Sequence, residues 1–119
     1  MGSAPMVLIV EDERALRTAL AMALADEGFD VATAANGAAA LDVLEEFEPD
    51  AIVLDLNMPI LDGFQFADAY RHRGGKQAPV IVCTTHALDQ RVRAIGAAAT
   101  ISKPVDIDRL VGMLKTYAS

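Results

Sequence analysis

Four short runs in this chain, the first three wholly apolar, end in residues able to do chemistry together. Met6–Val10 is followed by Glu11, Asp12 and Glu13, and Ala51–Leu54 by Asp55. Val80–Cys83 is followed by Thr84 and Thr85, and Thr100–Ser102 by Lys103. Carboxylates brought this close repel one another, and a hard divalent cation removes the repulsion; oxygen-only donors suit Mg²⁺. Mg²⁺ keeps several waters and takes only one or two carboxylates, which leaves an open position. One carboxylate can then attack phosphorus, while the metal, Lys103 and Thr84 neutralise the phosphoryl oxygens. Each residue also has a plainer reading. Asp12 or Glu13 taken singly reads as a helix cap, Asp55 alone reads equally as cap or site, and a lone lysine reads as surface. Their combination on four strand ends favours the site.

The elements that must position these residues follow from hydrophobic spacing. The apolar runs are rich in β-branched residues and read as strands buried on both faces. Val31–Ala34 is a weaker strand. Between the strands lie helical patterns: residues 14–27, with Leu16, Leu20 and Leu24 on one face, stopped by Gly28; a helix capped by Asn36 and running to about Glu48, with Leu41, Leu44 and Phe47 inward; about Asp62 to Arg73; about Leu88 to Gly96; and a last helix with Ile107, Leu110, Val111 and Leu114 inward. Strands buried on both faces and joined by helices predict a parallel α/β sheet of five strands and five helices. In such a sheet function sits outside the carboxyl ends of the strands.

Composition narrows the classes. The chain has 119 residues, one domain's length, with 53% hydrophobic and 23% charged residues, which excludes disorder. Residues 1–5 read as a disordered or cloning-derived N-terminus and 6–119 as the domain. The net charge of −7 disfavours non-specific nucleic-acid binding. It is unevenly spread: residues 1–70 hold 14 acids and 2 bases, residues 71–119 hold 3 acids and 8 bases. A single cysteine, Cys83, cannot form an internal disulfide, which with the lack of a signal peptide or a membrane-length apolar run points to the cytoplasm.

Asp55-Leu56-Asn57-Met58-Pro59-Ile60-Leu61-Asp62-Gly63 resembles the D-x-x-M-P-x-x-D-G segment of response-regulator receiver domains. The resemblance extends to Glu11-Asp12, Thr84 and Lys103-Pro104, and so to nearly the whole chain. It implies a flavodoxin-like, doubly wound sheet of order 2-1-3-4-5. It further implies that Asp55 accepts a phosphoryl group from a phosphohistidine on a sensor histidine kinase or histidine phosphotransfer protein. Glu11, Asp12, Asp55 and the backbone carbonyl of Asn57 would hold Mg²⁺. Thr84, Thr85 and Lys103 would bind the phosphoryl group and drive the switch, Asn57 and His86 would tune dephosphorylation, and Pro59, Gly63 and Pro104 would be structural, with Lys103-Pro104 a candidate cis peptide. A downstream protein target would be met through the fourth and fifth helices, and a monomer is expected rather than a dimer.

Two departures from the family stand out. Thr100 occupies the position of the usual Tyr or Phe three residues before the lysine, and Thr85 that of a small Ala or Gly. On the first helix Ala15, Ala19 and Met22 form a second, outward apolar stripe, readable either as a docking surface or as plain helix-favouring residues. His86 reads as an exposed loop residue or a rate-tuning one. Phe64, Phe66, Tyr70 and Cys83 read as packing. Arg91 and Arg93 read as solvated, or as contacts for an acidic partner. The alternatives in function are a receiver-fold module that signals without phosphate, or the receiver part of a larger hybrid kinase or regulator. An aspartyl-phosphate phosphatase would want a second acid where Asn57 stands, and a flavin phosphate would meet a rim of carboxylates.

Overall fold

The computed structural model describes residues 4–56, 58, 61–85 and 90–118. Among the described residues five strands and five helices alternate: β1 (Met6–Val10), α1 (Arg14–Asp26), β2 (Asp30–Ala34), α2 (Gly37–Glu46), β3 (Ala51–Asp55), α3 (Gly63–His72), β4 (Val80–Thr84), α4 (Gln90–Ala94), β5 (Ala99–Ser102) and α5 (Ile107–Tyr117). The strands form one parallel sheet of order β2-β1-β3-β4-β5, as expected.

The apolar strands read as buried on both faces because successive side chains point to opposite sides of a sheet that carries a helical layer on each. Leu8, Val10, Ile52, Leu54 and Val82 pack with Leu44 of α2, Phe66 and Tyr70 of α3 and Val92 of α4. Val7, Ile9, Val53, Ile81 and Cys83 pack on the other side with Leu20 and Leu24 of α1 and Leu110 and Leu114 of α5. Phe66, Tyr70 and Cys83 are core residues, as read from the sequence, and Phe64 is half-buried against the first cluster.

One inward assignment is wrong. α2 stops at Glu46, and Phe47 takes an extended conformation and is 45% exposed. Pro49 disfavours helical backbone at Glu48, and helices end at or before the residue preceding a proline, so α2 stops short and Phe47 leaves the apolar face. The predicted cap at Asn36 is present, its Oδ1 accepting from the Ala39 amide at 2.8 Å. Among the described residues no helix is long and apolar enough to cross a membrane.

The start of α3 is tied to the end of β3 by backbone contacts. Asp62 caps α3 in a reciprocal box, its Oδ1 accepting from the Gln65 amide at 2.9 Å while the Gln65 Oε1 accepts from the Asp62 amide at 3.0 Å. Gly63 donates its amide to the Leu56 carbonyl at 3.0 Å. A Cβ on Gly63 would lie 2.5 Å from both the Asp55 carbonyl oxygen and the Leu56 Cα. Both are backbone atoms of the strand end that carries Asp55, so neither can yield cheaply. Gly63→Ala is therefore expected to cost about 3 kcal/mol, the upper range for overpacking. Gly112, inside α5 with nothing within 4 Å of its Cβ position, is the opposite case. Gly112→Ala should gain about 0.5–1 kcal/mol. Urea unfolding of both variants checks the pair; equal effects would refute the close-approach argument for Gly63.

Candidate functional site

Strand register assembles the rim. Val10 pairs with Leu54, so the next residues, Glu11 and Asp55, stand side by side. Asp55 pairs with Cys83 and Thr84 with Ser102, which brings Thr84 and Lys103 to the same end of the sheet. The Lys103 amide donates to the Thr84 carbonyl at 3.1 Å, and the Lys103-Pro104 peptide is cis.

Glu11, Asp55 and Thr84 are buried, with 3%, 2% and 2% exposure, whereas Asp12 and Thr85 are exposed. Glu11, Asp12 and Asp55 each offer a carboxylate oxygen, and these oxygens lie within 4.8 Å of one another. Two of the three acids are buried and their donors are hard oxygens, so the group suits a small divalent cation such as Mg²⁺. Lys103 reaches into the cluster, its Nζ 2.8 Å from Asp55 Oδ1 and 3.5 Å from Glu11 Oε1. The Glu13 amide donates to Glu11 Oε2 at 3.0 Å.

Burial and mutual charge set the electrostatics of the cluster. Burial pushes the Glu11 carboxyl up to about 7, with the Asp55 charge and an Asp12 hydrogen bond adding to the rise, against the Glu13 amide and Lys103. Burial pulls the Lys103 ammonium down, but the hydrogen bond and charge of Asp55 and the charge of Glu11 prevail and hold it above its usual range. Burial raises the Cys83 thiol to about 12, so it stays protonated and inert within the core.

The arrangement offers a buried carboxylate nucleophile beside an ammonium, a hydroxyl-bearing residue and an oxygen-donor cation site. A family model for the response regulator receiver domain matches residues 7–115. The chain belongs to the response regulator receiver domain family. This receiver domain is 37% identical over 115 residues to the transcriptional regulatory protein PrrA of Mycobacterium tuberculosis, an alignment covering 95% of this chain and 49% of that protein. It is 34% identical over 112 residues to the response regulator MprA of Mycobacterium avium, covering 92% and 49%. The receiver domain thus spans about half the length of the curated relatives it matches. Among solved structures it resembles the chemotaxis protein CheY4 of Vibrio cholerae, with a TM-score of 0.88 at 32% identity over 96% of this chain and 98% of that one. It also resembles the signal receiver domain of a signal transduction histidine kinase from Syntrophus aciditrophicus, with a TM-score of 0.85 at 28% identity over 97% and 90%.

Of the site residues expected from sequence, Glu11, Asp12, Asp55, Thr84 and Lys103 gather at one rim of the receiver domain, with Thr85 exposed just after β4. Asn57, Pro59 and His86 lie outside the described residues, as does the side chain of Arg91. Gly63 supports the Asp55 strand end, and Ala15, Ala19 and Met22 are all exposed on α1, with Met22 at 65%. Two residues were not singled out from sequence. Gly37, read only as part of a turn, donates its amide to the Leu61 carbonyl at 3.0 Å, and a Cβ there would meet that oxygen at 2.6 Å. Arg17, read as a polar interruption of an apolar helix, reaches back to the backbone of the acidic loop. Neither contact leaves a periodic signal, because each joins segments distant along the chain or passes through backbone atoms.

Proposed function

We propose that this receiver domain accepts a phosphoryl group on Asp55 from a phosphohistidine and signals by a change of partner contacts. The observation that carries the reading is the buried Asp55 carboxylate held at 2.8 Å by Lys103 within a cluster of three acids. An Asp55 carboxylate oxygen attacks phosphorus, the P–N bond to the donor imidazole breaks, and its electron pair stays on the imidazole nitrogen, which takes up a proton. Lys103 meets the negative charge of the transferred group, and the Thr84 hydroxyl donates to it. Glu11, Asp12 and Asp55, with the Asn57 carbonyl, would hold Mg²⁺, which when bound neutralises charge on the phosphoryl oxygens.

The transferred group would draw Thr84 toward it and bias a two-state equilibrium in the region from β4 to α5, which presents α4 and α5 to a downstream protein. The surface there differs from that of relatives bearing an aromatic at the Thr100 position. Thr100 is half-buried and lines a shallow cleft of about 410 Å³ with Val92, Arg93, Ala97 and Ala99. The intact set of Asp12, Asp55, Thr84 and Lys103 favours this function over phosphate-independent signalling. We place the domain in the cytoplasm, acting as a monomer, either alone or within a longer regulator or hybrid kinase.

Intact mass after incubation with Mg²⁺ and acetyl phosphate tests the reading. One added phosphoryl group, absent when the metal is chelated, is the expected result; no gain with any donor would favour the phosphate-independent module. The exposed Ala15, Ala19 and Met22 stripe lies on the helix that follows the acidic loop and is our choice for kinase docking. Met22→Glu is expected to slow transfer from the histidine donor protein about tenfold, the scale of one interface hot spot. Transfer from acetyl phosphate should be unchanged, and equal slowing with both donors would remove the docking role.

A further inference from the structure

The acidic loop between β1 and α1 is held from behind. Arg17, half-buried one turn into α1, directs Nη1 to the Glu11 carbonyl at 2.9 Å and to the Asp12 carbonyl at 3.3 Å. The two peptides it grips belong to the two acids that stand beside Asp55. Glu11 is otherwise fixed by its amide on the Ala34 carbonyl at 3.0 Å and by the Glu13 amide on its carboxylate. Asp12 is exposed, and the Arg17 contact ties its peptide back to a regular element. A planar guanidinium on a packed helix can satisfy two carbonyls from one nitrogen while fixing the direction in which the following carboxylates leave the chain.

We propose that Arg17 is a positioning residue for the divalent-cation site, setting its affinity by fixing the Glu11 and Asp12 backbone; this rests on the reading of that rim as a Mg²⁺ site. Two physical effects of Arg17 oppose each other. As a positive charge near the cluster it disfavours a cation, whereas as a brace it spares the cation the entropy of ordering a loop. The direct hydrogen bonds to both peptides favour the brace as the larger effect. The guanidinium is also well placed for the unphosphorylated protein, because it touches carbonyl oxygens and leaves the carboxylates open.

A Mg²⁺ titration of the unphosphorylated full chain, followed through the amide NMR shifts of Glu13 and Asp55, separates these effects. Arg17→Ala should weaken Mg²⁺ binding about tenfold, the lower edge for loss of a residue supporting metal ligands. Arg17→Lys, which keeps the charge and can still donate to the carbonyls, should recover most of that loss. Leu114→Ala, a core truncation on α5, should be less stable yet bind Mg²⁺ as the parent does. Unchanged or tighter binding by Arg17→Ala would overturn the proposal, as would an equal loss in Leu114→Ala. A parent chain that binds no Mg²⁺ would instead overturn the underlying reading of the rim, and the role of Arg17 with it.

Discussion

Asp55→Asn is expected to take up no phosphoryl group from any donor. The amide oxygen of asparagine is a far weaker nucleophile than a carboxylate, and among the described residues no second acid is placed to substitute without losing the geometry. Glu11 is buried, its Oε2 already accepts the Glu13 amide, and burial favours its protonated form. Asp12 is exposed and follows β1, which does not neighbour the strand of Thr84, whereas Asp55 ends β3, which does. The variant should remain folded, because asparagine is nearly isosteric and one charge leaves a crowded cluster. Phosphoryl incorporation should fall to background while circular dichroism is unchanged. A folded Asp55→Asn chain that still gained a phosphoryl group would move the acceptor to another residue.

Lys103→Ala carries the second large effect, and its two readouts should move in opposite directions. The ammonium lies 2.8 Å from Asp55 Oδ1 and 3.5 Å from Glu11 Oε1, with its side chain 23% exposed. In the resting protein it would compete with a divalent cation for the same carboxylates, so its removal should tighten Mg²⁺ binding. During transfer it would be a preorganised positive donor beside the developing phosphoryl charge. Loss of one such donor costs roughly 100-fold or more in rate. Stopped reactions with acetyl phosphate at saturating Mg²⁺ give the rate, and a metal titration gives the affinity. A rate within twofold of the parent would deny Lys103 its part in the transfer.

Much of the fold was legible in the sequence because its signals are local. Met6–Val10 and Ala51–Leu54 are continuous apolar runs, as a strand between two helical layers must be, and the acid following each marks a carboxyl end. The same logic placed Glu11, Asp55, Thr84 and Lys103 on one rim, since parallel strands present all their carboxyl ends together. The misplacement of Phe47 came from following helical spacing past the influence of Pro49, a signal that was present and outweighed. Gly37 and Arg17 could not be found in this way. The Gly37 contact depends on the approach of the Leu61 carbonyl across the fold, and the Arg17 contact on backbone oxygens that every residue possesses. The charge asymmetry has a geography in the fold: Glu11, Asp12 and Asp55 come from the acidic stretch, and the lysine that meets Glu11 and Asp55 comes from the basic one.

Asp55 is the residue proposed to carry an acyl phosphate. Phosphorylation with acetyl phosphate and Mg²⁺, reduction with borohydride, and peptide mass spectrometry read it most directly, because reduction converts an aspartyl phosphate to homoserine. Homoserine at position 55, lost when the metal is chelated, is the predicted result. Homoserine at another aspartate, or none in a chain that has gained a phosphoryl group, would contradict it.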